Sequence, residues 1–169
     1  MNEVLKKIIS DTQQSFMDDP ELAKEIFESA SSQKDGLYSE VLIRDHALGV
    51  DEPEKLGGAD KGPNPVELVL AALGTCQEIT YRAYATALDI PLDHVSVKLE
   101  GHIDLRGFFG VDDSVRPGYS AIKGTVHIVS SADAETIETL RGAVNAHCPV
   151  LDIITKPVQV DLEVDLKAP

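Results

Sequence analysis

NPVELVLAALGTCQEITYRAYATAL, residues 64–88, reads as a single helix, and the rest of the chain can be placed around it. Asn64 suits an N-cap, Pro65 the first helical position, and Glu67 stands third, which completes a capping box. From Leu68 to Leu73 every residue is apolar, so this part of the helix is expected to be buried all round. Gly74 leaves room there for another backbone to approach. Val69, Ala72, Leu73, Cys76, Ile79, Thr80 and Ala83 recur at spacings of three and four, so Cys76 points where the core points.

On the N-terminal side, residues 51–63 (DEPEKLGGADKGP) form a Gly-, Pro- and Asp-rich loop leading into the helix. Gly57-Gly58 fits neither nucleotide fingerprint and reads as a tight turn. Two short strands precede it, one around Leu37, Val41, Leu42 and Ile43 and one ending at Leu48 and Val50, with a turn at Arg44-Asp45-His46. Residues 2–31 read as two short helices. The first carries Val4, Leu5, Ile8 and Ile9; the second restarts at Asp19-Pro20 with Leu22, Ile26 and Phe27. A polar break at 31–36 separates them from the rest. The predicted organisation is therefore an N-terminal helical extension over 1–34, docking on the main fold or a second subunit, and one main domain over 35–169.

On the C-terminal side, Asp89-Ile90-Pro91 forces a turn, and Val95, Val97 and Leu99 alternate with polar residues as a half-buried strand. Residues 105–119 read as a loop whose paired Phe108-Phe109 cover a core edge or wall a pocket. Ile122, Val126 and Ile128 mark a further strand. Residues 131–147 read as a second amphipathic helix, with Ile137, Leu140 and Val144 on one stripe, Cys148 continuing it, and Pro149 stopping it. Val158, Val160, Leu162, Val164 and Leu166 alternate with polar residues as the clearest strand of all. The sum is an α+β fold of antiparallel strands flanking two internal helices.

A chain of 169 residues and 18.2 kDa suits one main domain. Its net charge of −14 disfavours a nucleic-acid partner or an anionic membrane surface. No apolar run reaches the roughly 20 residues of a membrane span, and Lys6-Lys7 precede no signal-type apolar stretch, so a cytoplasmic location is expected.

Two cysteines in a reducing compartment are inert core residues or redox-active ones. Taken alone, Cys76 on its apolar face reads as a small buried hydrophobe. Cys148, also on a core-facing stripe, makes a facing pair with it the alternative. The end of the second helix disfavours a thiolate at Cys148, and Cys76 lies too far along its own helix to feel the N-terminal dipole. On that ground Cys76 is the better nucleophile and Cys148 the better resolving partner. Activation of Cys76 requires a cation or donor from elsewhere, with Arg44, Arg82, Arg106, Arg116 and His147 as candidates. No CxxC or HExxH suggests a metal, and His46, His94, His102 and His127 are scattered.

Leu56-Gly57-Gly58, Gly62-Pro63-Asn64-Pro65-Val66-Glu67-Leu68 and Ala71-Ala72-Leu73-Gly74-Thr75-Cys76, followed by His147-Cys148-Pro149-Val150, resemble the two motifs of the OsmC/Ohr family of osmotically induced and organic hydroperoxide resistance proteins. The likeness runs from about Leu37 to Val164. It implies an intertwined α+β homodimer whose sheets enclose the central helices, with each active site at the subunit interface. It also implies a cysteine-based peroxidase for organic hydroperoxides, without metal or haem cofactor. Cys76 becomes a sulfenic acid, Cys148 condenses with it to a disulfide, and an external dithiol reduces that bond. An arginine from an early strand activates the thiolate in the family, and Arg44 is its best match. The peroxidase branches place a glutamate directly after Asn-Pro; this chain has Val66 there, and Glu67 one residue on, rotated by about 100°. The paired cysteines favour the enzyme. Val66 favours a rival, a non-enzymatic dimeric binding or redox-sensing protein with an apolar interfacial pocket.

Overall fold

The structure is a computed structural model and describes residues 2–156 and 158–168; the outer limits of the two predicted segments, residues 1 and 169, lie outside it. Helix α2 (Pro65–Ala87) runs through the middle of the fold. Both halves of its capping box form: Asn64 Oδ1 accepts from the Glu67 N–H at 2.9 Å, and Glu67 Oε2 accepts from the Asn64 N–H at 2.8 Å. At the other end Asp89 turns left-handed (φ 55°), and the Ile90 N–H donates to the Ala85 carbonyl, closing the last turn.

Strands β4 (His94–His102) and β5 (Ala121–Val129) form an antiparallel pair in which Val97 faces Val126. Their inner residues Val95, Val126 and Ile128 pack on the core. Helix α4 (Ala134–His147) is started by Asp133, whose carboxylate accepts from the Thr136 N–H. Tyr81 and Ala85 of α2, Leu92, and Leu140 and Val144 of α4 are all buried and form the centre of the domain. A second sheet, β1 (Ala30–Asp35), β2 (Tyr38–Ile43) and β3 (His46–Val50), is antiparallel throughout, and both of its faces are largely exposed. Helix α1 (Asn2–Asp18) packs against α2, with the Lys6 ammonium on the Asp89 carboxylate.

The loop 51–63 is organised by one buried carboxylate. Asp51 accepts backbone N–H bonds from Glu52, Ala59 and Lys61. Burial pushes its pKa up, but those donors outweigh burial and hold it below the ordinary carboxylate value. Gly58 has no room for a side chain, since a Cβ there would stand 1.8 Å from the Glu52 carbonyl oxygen.

Several expectations are corrected. The second N-terminal helix is only a 3₁₀ turn, Pro20–Ala23, and Ile26 and Phe27 are exposed. The polar break at 31–36 is mostly β1, held by its ladder to β2, so the boundary at residue 34 falls inside a strand. Hydrogen bonds to a neighbouring strand overrode a polar composition with no alternation. Residues 105–119 contain a short helix, α3 (Leu105–Phe108), capped by Asp104; Phe108 and Phe109 are exposed, and Phe108 walls a pocket with Leu37, Leu56 and Leu68, the second of its two expected roles. Pro149 does end α4, yet it also opens a further helix, α5 (Pro149–Thr155), at the position where proline is tolerated. Residues 158–168 have the alternation of a strand but no ladder, because alternation distributes side chains without supplying a neighbouring edge.

Leu68–Leu73 is also less buried than its composition predicts. Only Leu73 is buried; Ala71 and Ala72 are exposed, because β4 and the α4–α5 pair cover the other side of α2 there and leave these two alanines open among the described residues. Nor does a backbone approach Gly74. A Cβ there would meet Leu99 Cδ1 at 3.8 Å, an ordinary contact. Gly74→Ala is therefore expected to stabilise the chain by about 1 kcal/mol through helix propensity, raising Tm by roughly 2–4 °C. Thermal unfolding followed by circular dichroism measures it.

Candidate functional site

Cys76 sits midway along α2, and Cys148 occupies the junction at which α4 ends and α5 begins. Packing of α4 and α5 on α2 brings the two sulfurs to 3.3 Å, although 72 residues separate them. Both are free thiols, with Cys148 buried and Cys76 half-buried. A disulfide needs about 2.05 Å, so a small closure of the pair would form one.

The surroundings of Cys76 act in opposite directions. Burial pushes its thiol pKa up, and the neighbouring Cys148 thiol adds to the rise. The backbone N–H of Val150, second residue of α5, and the side chain of Thr80 pull it down without reversing it. Thr80 Oγ1 also donates to the Cys76 carbonyl at 2.7 Å. The net direction is above the ordinary thiol value, so little thiolate exists near neutral pH. The rate of Cys76 alkylation by iodoacetamide is accordingly expected to keep climbing from pH 7 to 9, following the thiolate fraction. A plateau below pH 8 would contradict the rise.

Of the four residues singled out from the sequence, the fold unites two. Glu67 remains at the helix cap, nine residues before Cys76, roughly 13–14 Å away along the axis, so within one chain it does not reach that sulfur. Arg44 lies exposed in the β2–β3 turn, left-handed at φ 54°. The other cations are engaged or peripheral. Arg82 donates to the Leu92 and Asp93 carbonyls, and Arg106 pairs with Asp104 and Asp112. His147 stacks on Tyr84 with ring centroids 5.0 Å apart, and its Nδ1 is 2.8 Å from the Ala143 carbonyl oxygen. Exposed Arg116 lines a groove.

Sequence reasoning missed three features. Val150 belongs to the second motif, but without α5 nothing in the sequence marks its N–H as a donor to Cys76. Thr80 stands one helical turn after Cys76, and that spacing was a readable signal. The third is a groove of about 590 Å³ beside α2, walled in part by Val66, Val69, Leu73 and Gln77. Among the described residues, no group of three or more His, Cys, Asp or Glu side chains is placed to hold a metal, and no helix is long and apolar enough to cross a membrane.

A long capped helix against an antiparallel sheet, with one thiol on that helix and one at a helix junction, defines a dithiol protein of α+β architecture. The sequence model for "OsmC-like protein" matches residues 58–163, and the chain belongs to that family. No curated protein matches the sequence. Solved structures share the fold. An OsmC-like protein from Mycoplasma pneumoniae superimposes with a TM-score of 0.68 at 16% identity, covering 79% of this chain and 90% of that one. An organic hydroperoxide resistance protein OsmC from Legionella pneumophila gives 0.61 at 22% identity, over 79% and 93%. A putative organic hydroperoxide resistance protein from Vibrio cholerae, with captopril bound in one of its active sites, gives 0.58 at 17%, over 79% and 88%.

Proposed function

We propose that the protein is a cysteine-based peroxidase for organic hydroperoxides, acting in the cytoplasm with an external dithiol as reductant. The observation that carries this reading is the 3.3 Å separation of Cys76 and Cys148. Cys76 thiolate attacks the terminal peroxide oxygen and becomes a sulfenic acid as the alcohol leaves. The Cys148 thiol then displaces water to form the disulfide, and the dithiol returns both sulfurs to the reduced state. The names of the Legionella and Vibrio structures support the substrate class.

The working form we propose is a homodimer. Supporting it are the uncovered side of α2 at Ala71 and Ala72, the β1–β3 sheet exposed on both faces, and the unpaired alternating segment 158–168. In such a pair, Arg44 and Glu67 of one copy can serve the cysteines of the other. The segment that precedes β1 then acts as an appendage to the shared family core.

A second reading, a dimeric binding or redox-sensing protein, is favoured by one observation: burial raises the Cys76 pKa with no guanidinium beside it among the described residues. Reduced protein supplied with tert-butyl hydroperoxide and dihydrolipoamide separates the two. The peroxidase consumes many equivalents of peroxide per chain; a sensor consumes one and stops.

A further inference from the structure

Val66, Val69, Leu73 and Gln77 recur on one face of α2 and line the groove together with Leu151 and Ile154 of α5. Three of the four helix residues are apolar, and the fourth is a carboxamide that is 7% exposed. Gln77 makes no side-chain hydrogen bond among the described residues, whereas every fully enclosed side-chain nitrogen and oxygen there has a partner. Its carboxamide therefore keeps its access through the groove. A ligand atom in the groove can take up the hydrogen bonds that the carboxamide does not make within the protein. Neither cysteine lines the groove itself, but Gln77 directly follows Cys76, and Asn145 and Leu151, each three residues from Cys148, line it, so its wall is continuous with the backbone that carries both thiols.

We propose that Gln77 binds the hydroperoxide for reaction at Cys76. Its Nε2–H donates to the proximal oxygen, and the organic group on that oxygen lies along Val66, Val69 and Leu73. This inference rests on the peroxidase reading. The Cys76 sulfur forms a bond to the terminal oxygen as the O–O bond breaks. The electron pair passes to the proximal oxygen, which is held by Gln77 while it becomes alkoxide and takes a proton from water to leave as the alcohol. Cys76 is oxidised to the sulfenic acid, and the hydroperoxide is reduced. A neutral carboxamide stabilises that charge without the repulsion a carboxylate would exert on the thiolate.

The test is the rate of Cys76 oxidation by cumene hydroperoxide in the reduced full chain, with Gln77→Met as the near-isosteric variant lacking the donor and Gln77→Asn as one retaining it. Loss of a hydrogen bond to a developing anion is expected to slow Gln77→Met roughly 10- to 100-fold, with Gln77→Asn slowed less. Iodoacetamide alkylation of Cys76 and the elution volume of the protein stay unchanged. Wild-type rates in Gln77→Met would overturn the role of Gln77 and leave the peroxidase reading intact. Equal slowing of alkylation, or a changed elution volume, would also overturn it, by showing that Gln77 acts through the fold or through pairing of copies. If the wild type reacts no faster than a free thiol, the peroxidase reading falls and this inference with it.

Discussion

Cys76→Ser is expected to abolish peroxide consumption, by at least roughly 10³-fold, because it removes the nucleophile. Cys148→Ser is expected to behave differently. Cys148 acts only after Cys76 has been oxidised, so its loss is expected to leave the first oxidation in place. One equivalent of peroxide is reduced, the sulfenic acid persists and is trapped by dimedone, and turnover with a dithiol falls because no disulfide forms. Mass spectrometry of the two variants after peroxide treatment reads both outcomes. Dimedone adduct on Cys148 in the Cys76→Ser protein would reverse the assigned roles. The 3.3 Å contact alone is symmetric; half-exposure of Cys76 against burial of Cys148 distinguishes the two.

Leu140→Ala is expected to be the most damaging change to the core. Leu140 is fully buried among Tyr81, Ala85, Leu92 and Val144, and its truncation opens a cavity that costs about 2–5 kcal/mol. That is a large part of the roughly 5–15 kcal/mol by which a domain is stable, and urea unfolding measures it as a lower midpoint at unchanged slope. The effect reaches the site. Leu140 and Val144 lie two turns and one turn before Cys148, and the Cys148 N–H donates to the Val144 carbonyl at 2.9 Å. A loosened α4 is therefore expected to expose Cys148 to alkylation, while Cys76, carried by α2, changes little.

The parts legible in the sequence are those decided by local chemistry. The capping box at Asn64, the stop at Asp89, the alternation of β4 and the stripe of α4 all depend on residues a few positions apart, and each forms as its pattern implies. The parts that were not legible depend on what lies across the fold. β1 is polar and has no alternation, yet it pairs with β2; residues 158–168 alternate cleanly, yet no strand among the described residues pairs with them. Side-chain pattern records how a strand would divide its two faces, and only a neighbouring edge makes it a strand.

The same division runs through the site. The sequence by itself determined that residues 64–88 form a helix with Cys76 on its inward side, that Cys148 ends a second helix, and that both belong to an OsmC-like chain. Only tertiary structure decided that the two sulfurs meet, that Val150 at the start of an unforeseen helix faces Cys76, and that Gln77 opens into a groove. It also decided that Glu67 stays at its cap, away from Cys76 of its own chain. Helix periodicity sets the direction in which a side chain leaves its own axis. The crossing of one helix on another sets what it meets, and that crossing is a property of the packed core.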